Sequence, residues 1–265
     1  MRGASAEALK VLTEGLPSVL AAGDAAQIGT ELFGVAGLLR TEPALRRVAT
    51  DLSVATEAKT ALVHGVLDSR VSPAVADLVA DAVGRRWTAT RDLADSLEQL
   101  GVVSVVRSAS DPARLSDELF SVGQAIKEHP ELRDALADPS RTAADKRSLM
   151  EGLLSDKVLA ATLALIDQAL SGSYRTVTAA LEAYGKVAAH VRDQQVATVV
   201  VSTPLSEADS ERLAVALSRQ YGRQMHLNVV VDPRVVGGIK VEVGDDVIDG
   251  TVSTRLDDAR RRLAG

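Results

Sequence analysis

The 265-residue sequence contains no cysteine, which excludes disulfides and thiolate-bound metals at the outset. Phe, Trp and Tyr together make up only 2% of it, although 46% of the residues are apolar. A core with so few rings must be assembled from Ala, Val and Leu, and that suits closely packed helices. No run of about 18 apolar residues occurs, so no segment is read as spanning a bilayer. Met1-Arg2-Gly3-Ala4-Ser5 leads into an amphipathic stretch rather than an apolar one, so no signal peptide is expected either. The formal net charge of −6 argues against a basic face for nucleic acid.

Chemistry-bearing constellations are also missing. The four histidines, His64, His129, His190 and His226, are far apart and none forms an HxxxH pair. Gly237-Gly238 has no Gly-Lys-Ser/Thr or dinucleotide fingerprint around it, so it is not read as a phosphate loop. Neither paired carboxylates nor a nucleophile with its base stands out. The expectation is a protein without catalytic residues, metal or cofactor.

What is present is a repeat. At an offset of 87 residues, Glu31-Leu32-Phe33-Gly34-Val35 matches Glu118-Leu119-Phe120-Ser121-Val122. Without a gap, Pro43, Leu45 and Arg46 match Pro130, Leu132 and Arg133, and Asp51, Ser53 and Lys59 match Asp138, Ser140 and Lys146. Leu62, Gly65 and Leu67 match Leu149, Gly152 and Leu154, so that 13 of 37 positions are identical between 31–67 and 118–154. Each copy is too long to be one unit of a solenoid, and a duplicated helical domain is the reading.

Within the first copy, Ile28, Leu32, Val35 and Leu39 place a helix over Ala25–Thr41. Pro43 starts the next, Thr56–Leu67 resumes the pattern, and Ser72-Pro73 opens another with an N-cap and first-turn proline. A last helix runs from about Thr90 to Val106. The second copy repeats the series from about Pro112 to Arg192, and a helix over Ser5–Leu20 precedes the first copy without a counterpart. Near Gln194 the period changes. Val196–Val201 reads as a strand, Ser206 and Glu207 start a helix that Gly222 ends, and His226–Val231 alternates. A hairpin follows, with Ile239, Val241 and Val243 inward and Gly244-Asp245 at the turn, and a helix over Thr251–Leu263 closes the chain. The expected fold is mostly α. Two homologous bundles, of six helices (1–107) and five (111–193, repeating 25–107), precede a small α+β domain (194–265).

The C-terminal segment carries a more specific pattern. It reads Asp232-Pro233-Arg234-Val235-Val236-Gly237-Gly238-Ile239, then Gly244-Asp245, Ile248-Asp249-Gly250 and Arg255-Leu256. These residues, with Thr203-Pro204-Leu205-Ser206 upstream, resemble the C-terminal signature of the F-type ATP synthase delta subunit family, whose mitochondrial relative is called OSCP. The resemblance covers about 111–265 well and 1–107 less closely. Ordinary members resemble one bundle plus the C-terminal part, so this chain is similar to the long forms with a second bundle. A Met at position 1 favours a separate subunit over a fusion with a b-type helix.

The resemblance implies a non-catalytic stator subunit that sits on the catalytic head at the cytoplasmic face of the cell membrane, one copy per complex. Its N-terminal bundle would bind the N-terminal helix of an alpha subunit, and its C-terminal part the b subunits. A helical adaptor unrelated to the synthase is the competing class, and it requires the C-terminal motif to be coincidence. One docking site is suggested by the residues themselves. Ala8, Val11 and Gly15 form a small apolar row beside the main stripe of the first helix, and Ala76, Ala80 and Val83 form another after Pro73. Two such rows would make a groove for the alpha helix. Ala-rich helices packing tightly on both sides is the alternative. Arg85-Arg86-Trp87 is either a basic helix end that complements the dipole or a second candidate contact, and Arg260-Arg261-Arg262 is a solvated helix end or a contact for an acidic partner or membrane headgroups.

Overall fold

The computed structural model describes residues 1–171, 173–191, 194–222, 224–244 and 246–252. Close contacts divide the chain into two compact units, Met1–Ala188 and Ala189–Gly265.

The first unit is helical. It contains α1 (Ala4–Ala21), α2 (Ala25–Thr41), α3 (Pro43–Thr50), α4 (Thr56–Leu67), α5 (Pro73–Gly84) and α6 (Asp92–Ser108). The second set follows as α7 (Pro112–Glu128), α8 (Pro130–Ala137), α9 (Ala143–Leu154), α10 (Ala160–Ala169) and α11 (Val177–Val191). The starts of α2 to α5 and α7 to α10 keep the offset of 87 residues. Prolines open α3, α5, α7 and α8, where a missing N–H costs nothing.

Polar devices repeat with the helices. The Glu31 carboxylate accepts from both the backbone N–H and the hydroxyl of Ser72, at 2.9 and 2.7 Å, and so caps the start of α5 from α2. Glu118 does the same for α10, accepting from the Leu159 N–H at 2.8 Å and the Thr162 hydroxyl at 2.6 Å. Ser72 stands at the N-cap position as expected, but its hydroxyl points to Glu31 and caps no helix N–H. The loops before α4 and α9 are also copies. Asp51 accepts from the N–H and hydroxyl of Ser53 at 2.8 and 2.7 Å, and Asp138 from those of Ser140 at the same distances.

Helices α2 and α6 cross with their backbones in close approach. A Cβ added to Gly29 would lie 2.9 Å from the Gly101 carbonyl oxygen, and one added to Gly101 would lie 2.6 Å from the Phe33 ring. The absence of both side chains is what lets these backbones meet. Around the crossing, Leu32, Leu93, Leu97 and Leu100 are fully buried, so removal of apolar surface from water holds the helices together.

These capping carboxylates set an acid limit on stability. Burial pushes the Glu31 carboxyl up, but the hydrogen bonds from Ser72 and Gln27 outweigh it and hold it below its ordinary value. Asp51, Asp138 and Asp145 are held low by the N–H and hydroxyl groups of Ser53, Ser140 and Thr142. Each therefore binds a proton less readily folded than unfolded. Its contribution is present above the ordinary carboxylate value of about 4 and is lost as pH falls through the lower folded value. Melting temperature should be level from neutral pH to about 5 and drop below about 4, and Glu31→Gln should reduce that drop. Thermal melts followed by circular dichroism across that range check it; a Glu31→Gln curve parallel to the native one would contradict the assignment.

The second unit contains β1 (Gln194–Val201), α12 (Glu207–Tyr221), β2 (Gln224–Val231), β3 (Ile239–Val243) and β4 (Asp246–Asp249). The sheet order is β2-β1-β3-β4, with β1 and β2 parallel and the other pairs antiparallel. A parallel pair needs a crossover, and α12 supplies it. Ser206 caps this helix by accepting the Asp209 N–H at 3.1 Å, and Gly222 ends it with φ of 69°. Ala197, Val199 and Val201 alternate onto the buried face of β1 and pack with Leu217, Met225, Val241 and Val243. Both units together give the mostly helical chain with a small α+β C-terminal part that the sequence implies. Beyond Val252 the expected last helix, with Arg255, Leu256 and the arginines at 260–262, lies outside the described residues, as does Asp245.

Candidate partner-binding surfaces

The first candidate surface lies on α1 and α5. Helix α1 packs against both α5 and α6. It is tied there by Ser5, which is fully buried and donates to Asp92 at 2.6 Å while accepting the Thr88 N–H at 2.8 Å. The two helices of the proposed groove are thus neighbours. Their small apolar rows are placed differently. On α1, Ala8 is buried, Val11 is half-buried and Gly15 is exposed with open space beside it. On α5, Ala76, Ala80 and Val83 are all buried. Val83 lines an apolar interior with Val35, Leu39, Val63 and Leu67, on the side of α2 and α4. Ala80 lines a crevice with Thr56, Thr60 and His64 of α4. The second stripe of α5 is therefore covered by the chain's own helices, and Val11 with Gly15 is what remains at the surface.

The α4–α5 crevice belongs to the first copy. At the matching positions of the second copy, Thr60 and Ala80 become Arg147 and Asp167, and these two form an ion pair. The crevice is rimmed by Asp77 and Asp81, with Arg85 held to Asp81 at 2.8 Å. His64 stands 2.9 Å from Asp68 and 3.9 Å from Asp77. Among the described residues no group of three His, Cys, Asp or Glu side chains is arranged to hold a metal ion.

Trp87 corrects a second expectation. It is buried, and its indole N–H donates to the Ala82 carbonyl at 2.9 Å. It seals the end of α5 and offers no exposed contact. The matching residue, Tyr174, is partly exposed and meets Tyr184 edge-on at 5.7 Å.

The C-terminal signature residues form a clasp. Asp232 accepts from the Arg234 N–H at 2.9 Å and pairs with its guanidinium, and the Asp232 N–H donates to Val201 at 2.8 Å. The chain then turns through Gly237 and Gly238, at φ of 74° and 85°. A Cβ on Gly238 would lie 2.5 Å from the Gly250 carbonyl oxygen. The Gly250 N–H donates to Ile239 at 2.9 Å, the Val252 N–H to Gly237 at 3.2 Å, and Asp249 accepts from the Thr251 N–H at 2.9 Å. Pro233 stands where the backbone leaves β2, and Gly244, at φ of 60°, begins the turn between β3 and β4. Two stretches that look separate in the sequence, 232–239 and 248–252, are thus one knot at the end of the sheet. Beside it the apolar side chains of Val236, Val247 and Ile248 are exposed.

The chain is similar to known proteins over its whole length. The family model for the ATP synthase delta (OSCP) subunit matches residues 101–263. The chain is 55% identical over 268 residues to ATP synthase subunit delta of a Nocardioides species, covering 100% of this chain and 98% of that one. It is 43% identical to the subunit delta of Streptomyces coelicolor, with 100% and 98% covered, and 40% identical to that of Thermobifida fusca, with 100% of both covered.

Proposed function

Because the chain belongs to the ATP synthase delta (OSCP) subunit family, we propose that it is the peripheral-stalk subunit of an F-type ATP synthase, acting by grip and not by catalysis. The observation that carries this reading is identity over the whole length, both helical copies included, to relatives named as that subunit. In this role it holds the alpha/beta head still against the rotor. It docks on the N-terminal helix of an alpha subunit through the first helical copy and on the b subunits through the C-terminal unit. It works at the cytoplasmic face of the cell membrane, with one copy per complex and no cofactor. Two compact units with separate cores suit an element that must touch two partners at once. The alpha helix would meet the surface of α1 at Val11 and Gly15, since the α5 row is already covered. The exposed edge strand β4, with Val247 beside the clasp, supports the C-terminal contact.

Reconstitution tests the reading. Synthase assembled without this chain should keep ATP hydrolysis by its head and lose ATP-driven proton pumping, and adding the chain back should restore pumping. Full pumping without it would refute the role. For the docking residue, Val11→Glu should weaken binding of the alpha N-terminal peptide at least about tenfold, the scale of placing a carboxylate against a packed apolar contact. Unchanged affinity in a folded variant would move the site elsewhere.

A further inference from the structure

Glu98 is buried between the two copies. Its side chain projects from α6 of the first copy and is 6% exposed. One carboxylate oxygen accepts three hydrogen bonds, all from the second copy. These come from Gln168 Nε2 at 2.9 Å, Ser173 Oγ at 2.6 Å and the Tyr184 hydroxyl at 2.5 Å. The other oxygen accepts from Arg40 at 2.6 Å, and Arg40 also reaches Asp95 at 2.9 Å. Burial and the adjacent Glu98 charge hold the Tyr184 phenol far above its ordinary range, so it remains a donor.

Helix α11 leaves the 87-residue register: at an offset of 84, Leu97-Glu98 and Gly101 match Leu181-Glu182 and Gly185, and Lys127–Glu182 repeats the Arg40–Glu98 pair. The second-copy partners of Glu98 are not repeated: Gln168 and Ser173 match Asp81 and Arg86 at the offset of 87, and Tyr184 matches Leu100 at 84. The residues that brace each copy internally are shared instead: Glu31 with Glu118, Asp51 with Asp138, Ser53 with Ser140. Shared residues build the bundles, and Glu98 is joined across them by partners that the first copy does not repeat. We infer that Glu98 is an anchor that locks the two helical copies into one rigid body, so that the long form presents a single stiff strut and not two hinged modules.

Charge-assisted hydrogen bonds of this length are strong, and a buried carboxylate satisfied on both oxygens fixes orientation as well as contact. Without the anchor, relative motion of the two copies becomes the default. The chain contains no cysteine, so spin labels can be placed at will. One pair, Glu57→Cys with Lys186→Cys, spans the copies at exposed positions, and a second, Lys10→Cys with Glu57→Cys, lies within the first. In the native background both pairs should give narrow distance distributions by double electron–electron resonance. Glu98→Ala leaves Arg40 paired to Asp95 and should broaden the spanning distribution at least about twofold, with the internal one unchanged. The double variant Tyr184→Phe, Ser173→Ala keeps the Glu98–Arg40 pair and should broaden it in the same direction. It decides the matter should Glu98→Ala not fold. A spanning distribution as narrow as the native one, or equal broadening of both pairs, overturns the inference. The measurement is made on the isolated chain, so its result is independent of the stalk reading.

Discussion

Gly101→Leu should destabilise the helical unit by about 3 kcal/mol or more, the upper range for overpacking a close-packed contact. For a unit of this size that corresponds to a loss of about 6–12 °C in melting temperature. The cause is local. The new side chain would begin 2.6 Å from the Phe33 ring and 3.0 Å from the Gly29 carbonyl, and the latter is backbone that cannot rotate away. α2 and α6 would have to separate, and with them the buried leucines on either side of the crossing. A control on the same helix pair has the opposite sign. Gly34 is exposed in the middle of α2 with nothing within 4 Å of its virtual Cβ. Gly34→Ala should therefore stabilise by up to about 1 kcal/mol, since the gain in helix propensity meets no clash. Thermal melts of the two variants side by side test the crossing; a harmless Gly101→Leu would mean that it is not closely packed.

Gly238→Ala should have a comparable effect on the other unit. Two penalties combine there. A left-handed backbone costs an ordinary residue about 1–2 kcal/mol, and the methyl group would lie 2.5 Å from the Gly250 carbonyl and 2.7 Å from the Thr251 Cα. The clasp would open, releasing the bonds between Gly250 and Ile239 and between Val252 and Gly237. Gly244 separates the two penalties, because its φ is 60° but its virtual Cβ has open space. Gly244→Ala should cost only the backbone term. Amide hydrogen exchange reads out the result region by region. Protection should fall in β3 and β4 far more for Gly238→Ala than for Gly244→Ala, while α2 and α6 keep theirs. Equal losses would show that the close approach contributes nothing.

Much of the fold can be read from local pattern. α2 and α4 begin and end where apolar spacing and punctuation place them, and the offset of 87 residues predicts the second helical set from the first. The strands were legible because β-branched alternation is a signal of only a few residues. The surfaces were harder. Two apolar stripes on α5 look the same on a helical wheel whether a partner or the chain's own α2 and α4 covers the second, and here the chain covers it. Trp87 stands at a helix end, which suggests exposure, but its indole folds back to Ala82. Glu98 was missed because its three second-copy partners lie 70–86 residues away, beyond any local periodicity. Its match, Glu182, pairs with Lys127 as Glu98 pairs with Arg40, so comparing the copies points to a shared brace and not to a contact between them.

The unrepeated partners of Glu98 have a consequence for how the chain assembles. A protein made of two similar halves risks exchanging them, within one molecule or between two, because the same helices offer similar partners. An exchanged arrangement that brought Glu98 against its own copy's equivalents would set it beside Asp81, Arg86 and Leu100 in place of Gln168, Ser173 and Tyr184. Arg86 would still donate, but an acid and an aliphatic side chain would replace the amide and the phenol, which is unfavourable for a buried carboxylate. The shared braces let either half close on its own; the unshared partners of Glu98 favour the pairing of unlike halves over the pairing of like ones.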